Sequence, residues 1–127
     1  MRALYSLAAA AIVMAVPANA GEIRQFDRVV FQALQAKNEP TIVFVHASWC
    51  PICRAQEKTI SALLSTPEYR GVTVFTIDYD TQKPLWTSFG AQKQSTLIGF
   101  HGRRETARLA YNADPGKVTA VVASTLR

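Results

Sequence analysis

Two cysteines, Cys50 and Cys53, are the only ones in the 127-residue chain, and they stand in the run Trp49-Cys50-Pro51-Ile52-Cys53. A buried-looking apolar stretch precedes the pair and a helical pattern follows it, so the first sulfur falls where a helix begins. A helix start presents unpaired backbone N–H groups and the positive end of the macrodipole, and both favour a thiolate over a thiol. Cys50 is therefore the expected nucleophile. Three residues along a helical turn bring Cys53 close to it, so a mixed disulfide formed at Cys50 can be resolved internally at Cys53. Pro51 falls in the first turn, where a missing N–H costs nothing.

The elements that must position this pair are legible as hydrophobic periodicity. Thr41 to Ala47 runs nearly unbroken through Ile42, Val43, Phe44 and Val45, the mark of a strand covered on both faces. After Trp49, the spacing of Ile52, Ala55, Thr59 and Leu63, with Arg54, Lys58, Ser61 and Ser65 outside, predicts a helix ending before Pro67. Val72 to Asp78 reads as a second strand, and a strand, crossover helix and strand make a right-handed parallel pair. Upstream, Ile23, Phe26, Val30, Ala33 and Leu34 predict one amphipathic helix. Downstream come a short helix at Pro84, Leu85, Trp86 and Phe89, with Trp86 and Phe89 in the core, and a strand at Thr96 to Phe100. The turn His101-Gly102, with His101 facing solvent, leads to an edge strand from Glu105 to Tyr111, with Ala107, Leu109 and Tyr111 inward. Asp114-Pro115 opens a closing helix through Val118, Val121, Val122 and Leu126. The expected order is α-β-α-β-α-β-β-α: an α/β fold with a four-stranded mixed central sheet flanked by helices.

Composition supports one compact domain: 49% of residues are hydrophobic and 18% charged, with no low-complexity run. Residues 1–20 read as a cleavable signal peptide. Arg2 supplies the basic start, Leu7 to Val16 the apolar run, and Ala18-Asn19-Ala20 the small-x-small cleavage pattern. That run is about half of the ~20 residues a membrane-spanning helix needs. The folded domain is then 21–127, and its expected location is periplasmic or secreted. The net charge of +5 is scattered rather than massed, which gives no support to nucleic-acid or anionic-membrane binding.

The segment Ala47-Ser48-Trp49-Cys50-Pro51-Ile52-Cys53-Arg54 resembles the tryptophan-led CxxC signature of the thioredoxin superfamily, and the element order of 21–127 matches as well. The chain most resembles small secreted bacterial thioredoxin-like proteins. The resemblance implies a thioredoxin-like fold and a thiol-disulfide oxidoreductase acting on protein thiols and disulfides, in which Cys50 attacks and Cys53 releases. It implies an electron donor or acceptor of unidentified nature, membrane-bound in some systems, and no cofactor or resident metal. A monomer is expected. The basic fold fills 21–127, which leaves no room for the inserted helical domain of dedicated periplasmic oxidants, so the reductase direction is favoured. Trp49, Pro51, Ile52, Gln94 and Ser95 are the candidate substrate contacts.

Two positions depart from the family pattern. The buried aspartate that usually stands six residues before the first cysteine is replaced by Phe44, leaving water or another group, with Glu57 as a candidate, to move the Cys53 proton. The loop proline before Thr-Leu is replaced by Ser95, so the Gln94–Ser95 peptide should be trans. His46, four residues before Cys50, is a candidate for tuning its thiolate. Two other readings stay open at this stage. One is a Cu(I)-binding module using Cys50, Cys53 and His46. The other is a non-catalytic domain with a structural disulfide, which so short a loop would stabilise little.

Overall fold

The structure, a computed structural model, describes residues 10–12 and 21–127. Most of the segment read as a signal peptide lies outside the described residues. Among those described, no helix is long and apolar enough to cross a membrane.

The central strand is β2 (Pro40–His46), which pairs in parallel with β3 (Thr73–Asp78) through the crossover helix α2 (Pro51–Leu64). On its other side β2 pairs antiparallel with β4 (Thr96–His101), which in turn pairs with β5 (Arg104–Ala110) at the sheet edge. Gly102 makes the β4–β5 turn with φ +58°, and a Cβ there would sit 2.6 Å from Asn38 Oδ1. Both the left-handed backbone and the close approach call for glycine.

The sheet has five strands, in the order β1-β3-β2-β4-β5, and not four. The extra strand, β1 (Glu22–Gln25), is the start of the segment expected to be a single helix, and α1 begins only at Arg28–Ala36. The reason is local. The Asp27 side chain accepts from the Val30 amide at 3.1 Å and starts the helix there. Upstream of it, Glu22 N donates to Val72 O at 3.2 Å and Phe26 N to Thr76 O at 2.9 Å, tying the chain to β3. Ile23 and Phe26, three apart, imitate a helical stripe, yet they pack on opposite faces of the sheet.

Each face of the sheet has its own core. Alternation along β2 sends Ile42 and Phe44 towards α2 and α4 (Pro115–Ser124), and Val43 and Val45 towards α1 and α3 (Lys83–Ser88). On the α1/α3 side Phe31 makes edge or tilted contacts, all with centroids within 5.7 Å, with Phe26, Phe75, Phe89 and Phe100. Trp86 is buried there and Phe89 half-buried, as expected.

On the other side, α2 turns a different stripe inward than the one expected. Cys53, Gln56, Ile60 and Leu64 are buried, while Ala55 is exposed and Ile52, Thr59 and Leu63 are only partly covered. The glutamine in the stripe masked it, because a buried amide reads as a polar surface position. Tyr111 lies beyond β5 at φ +54° and is 51% exposed rather than inward. Leu126 lies past the end of α4 and is exposed. His101 ends β4 half-buried, its Nδ1 2.8 Å from Thr125 O, so the α4 C-terminus covers it.

The Phe31 cluster ties α1 and α3 to the sheet. Phe31→Ala removes a buried ring in contact with four others and is expected to lower unfolding stability by about 3–5 kcal/mol, read as a lower denaturant midpoint at unchanged m-value. A loss under about 1 kcal/mol would show that the cluster does not anchor that face.

Candidate active site

Cys50 is the N-cap of α2. Its backbone is extended (φ −90°, ψ 113°) and its Sγ accepts from the Cys53 amide at 3.2 Å. The sulfur thus occupies the place of a capping serine or aspartate oxygen, where a negative charge would meet one of the orphan donors at the helix start. Pro51 takes the first helical position, where no N–H is needed. Both cysteines are free and buried: Cys50 is 2% exposed and Cys53 is fully covered.

The covering group is Ser95. Its Oγ lies 3.1 Å from Cys50 Sγ and 3.0 Å from Cys53 Sγ, so one hydroxyl touches both sulfurs. The residue has φ +61°, a region that costs a non-glycine residue energy, and all peptide bonds among the described residues are trans, as expected at Gln94–Ser95. Three hydrogen bonds enforce that conformation. Ser95 N donates to Val45 O at 2.8 Å, and Ser95 O accepts from Tyr111 N and from Gln56 Nε2, each at 3.0 Å. Gln56 Nε2 also donates to Asn112 O at 3.0 Å, so a single buried amide from α2 clamps the two loops that face the cysteines. Sequence reasoning missed Gln56. Its spacing one turn after Cys53, on the same helix face, was the available signal.

The two sulfurs are electrostatically unequal. For Cys50, burial pushes the thiol up, but hydrogen bonds from the Cys53 side chain, the Ser95 hydroxyl and the amides of Cys53 and Ile52 outweigh it, and the net displacement is downward. For Cys53, burial and its side-chain bond to Cys50 push the thiol above the ordinary value. An ionised Cys50 can only accept, so Ser95 Oγ–H donates to it, and the single Cys53 S–H is shared between Cys50 Sγ and the Ser95 lone pair.

The remaining candidates are arranged round this centre. Trp49 is 54% exposed, with Nε1 donating to Asp80 Oδ2 at 2.9 Å, which fixes the indole beside the mouth of the site. Pro51 is exposed, and Ile52 and Gln94 are half-buried. Phe44 is fully buried and lies in the same core cluster as both cysteines, so an apolar ring stands where the family carries a carboxylate. His46 and Glu57 face each other, Nε2 to Oε2 at 3.2 Å, in a contact too poorly aligned to count as a hydrogen bond. Among the described residues no three His, Cys, Asp or Glu side chains gather to hold a metal, so the ligand set Cys50, Cys53 and His46 is not assembled.

Residues 13–120 match the AhpC/TSA family model, and the chain belongs to that family. It is 30% identical over 77 residues to "Putative thioredoxin-5" of Dictyostelium discoideum, covering 60% of this chain and 73% of that one. It is 31% identical over 108 residues to protein disulfide-isomerase erp38 of Neurospora crassa, covering 80% of this chain but only 28% of the isomerase. Among solved structures, Trxlp from Edwardsiella tarda superposes with a TM-score of 0.73 at 31% identity, over 78% of this chain and 97% of that one. With the site described above, the protein is a thioredoxin-like thiol-disulfide oxidoreductase with a CxxC redox pair.

The unequal sulfurs make a testable pH dependence. A lowered thiol is ionised, and reactive, at a pH where a free cysteine is still protonated; a raised one needs a higher pH than a free cysteine. Iodoacetamide trapping of the reduced protein, with peptide mapping, should therefore show Cys50 alkylating first, with a midpoint below that of free cysteine, and Cys53 with a midpoint above it. Two identical profiles would remove the assignment of the thiolate to Cys50.

Proposed function

We propose that the protein reduces disulfides of protein substrates in the periplasm or outside the cell, with Cys50 as nucleophile and Cys53 as resolving thiol. The observation that carries this reading is the asymmetry of the pair: a capped, hydrogen-bonded Cys50 whose thiol is held below the ordinary value, beside a fully covered Cys53 whose thiol is pushed above it. The Cys50 thiolate attacks one sulfur of the substrate disulfide, and the displaced thiolate takes a proton from solvent. Cys53 then attacks Cys50 Sγ, releasing the second substrate thiol and leaving the enzyme as the disulfide. Two electrons pass to the substrate, and an exported or membrane-bound donor restores the dithiol. Both electrons travel on sulfur, so the cycle needs no cofactor, and a monomer suffices.

Trp49, Pro51, Ile52 and the Ser95 loop form the rim a substrate segment meets. Both backbone groups of Ser95 are bonded within the fold, so backbone pairing with an extended substrate falls to Gln94. The direction rests on the run from α2 through the 3-10 turn Pro67–Tyr69 to β3, which holds no inserted domain. Hydrogen bonds to a Cys50 thiolate stabilise the dithiol and raise the potential, so this direction requires a potential that stays on the reducing side in spite of them.

Insulin reduction with dithiothreitol is the first test. Cys50→Ser should abolish turnover, and Cys53→Ser should accumulate mixed disulfides on Cys50. Full activity of Cys50→Ser would overturn the reading. The equilibrium constant with glutathione should place the Cys50–Cys53 couple below about −230 mV. A value near −120 mV, that of a strong oxidant, would reverse the direction.

The segment 1–20 supports export through its basic start, apolar run and Ala18-Asn19-Ala20. Expressed from Met1 in a Gram-negative host, the protein is expected in the periplasmic fraction with Gly21 as its first residue by intact-mass analysis. A cytosolic product that keeps residues 1–20 would remove the export proposal.

A further inference from the structure

In this fold the sulfur that must lose its proton late in the cycle is boxed in by apolar groups. Phe44 occupies the place of a carboxylate and is fully buried, Cys53 is fully covered, and Glu57, the acidic side chain one turn along α2, is turned to His46 at 3.2 Å. The polar side chain in contact with Cys53 Sγ, besides Cys50, is the Ser95 hydroxyl, 3.0 Å away, and the same oxygen is 3.1 Å from Cys50 Sγ. A hydroxyl donates one proton and accepts at its lone pairs at the same time. Placed between a donor S–H and an acceptor sulfur, it can take a proton on one side while giving one on the other. Its position is fixed rather than incidental, since Val45 O, Tyr111 N and Gln56 Nε2 hold the backbone of Ser95 at φ +61°.

We propose that Ser95 is a catalytic residue that relays the Cys53 proton to the departing substrate sulfur during resolution of the mixed disulfide. The inference rests on the thiol-disulfide exchange proposed above and assigns its missing proton path. In the mixed disulfide Cys50 Sγ is bonded to the substrate sulfur. Cys53 Sγ–H gives its proton to Ser95 Oγ as Cys53 Sγ attacks Cys50 Sγ. The Cys50–substrate S–S bond breaks, the Cys50–Cys53 bond forms, and Ser95 passes its own proton to the leaving thiolate. Ser95 ends the step as the hydroxyl it began as. The enzyme dithiol is oxidised by two electrons, and the substrate disulfide is reduced by two.

The other charged groups round the junction are engaged elsewhere. His46 of β2 and Glu57 of α2 face each other, Asp80 after β3 accepts from Trp49 Nε1 at 2.9 Å, and Lys93 of the Ser95 loop lies 4.9 Å from the centroid of the Tyr111 ring.

The test follows resolution directly. Reduced protein is mixed with oxidised glutathione, quenched with acid at successive times, and the glutathione adduct on Cys50 is counted by mass spectrometry. Ser95→Gly removes the hydroxyl and tolerates the positive φ, and Ser95→Ala removes it while keeping Cβ. Both should slow decay of the adduct by about 10²-fold at pH 7. The deficit should shrink towards none as the pH rises past the point where Cys53 ionises unaided. A wild-type decay rate in Ser95→Gly, or a slowing of the same size at every pH in both variants, would overturn the relay. Wild-type protein that forms no adduct, or never resolves it, would remove the exchange reading as well, so the two failures are distinguishable.

Discussion

A sulfur held at the mouth of α2 by the amide of Cys53, 3.2 Å away, is the contact on which the rest of the site depends. It is available only because a strand buried from Thr41 to Val45 runs straight into a helix with a single short junction between them. β2 supplies rigidity from both faces, and α2 supplies the unpaired amides and the dipole. Placed one turn later, the same sulfur would meet no free donor. Placed in a flexible loop, it would lose the alignment that separates the two thiols.

The second constraint comes from across the site. Ser95 reaches the sulfurs from the β4 side, and Gln56 reaches back from α2 to hold the Ser95 and Asn112 carbonyls. The helix that carries the cysteines therefore also fixes the group that touches them. Without that amide the Asn112 carbonyl would lose its Gln56 donor, a loss of about 1–3 kcal/mol for a buried acceptor, while the Ser95 carbonyl would keep only the Tyr111 amide. This cross-brace holds with polar contacts a loop whose Ser95 has no ring to fix its backbone.

Much of this was legible in the residues. The unbroken apolar run of β2, the cap-like position of Cys50 and the one-turn spacing to Cys53 carried the fold and the reactive pair. What failed did so for identifiable reasons. Ile23 and Phe26 share a helical spacing, but Asp27 caps the helix after them, so the fifth strand was hidden within a plausible amphipathic pattern. Gln56 broke the apolar stripe of α2 and displaced the expected inner face by one residue. The meeting of Ser95 with both sulfurs depends on a φ of +61° and on bonds from three separate stretches of the chain, which no local pattern encodes. His46 and Glu57 were each credible near the cysteines, and that they face each other is a tertiary fact.

The two margins of the sheet bear on how the protein keeps apart from other chains. β5 displays Arg104, Glu105 and Arg108, all exposed, and β1 is only four residues long and carries Glu22 and Arg24. Charges and brevity of this kind discourage the open backbone of a margin from zippering onto a sticky neighbour. A protein whose reactive sulfurs must stay open to the thiols of other proteins is thereby kept from offering them its bare margins as well.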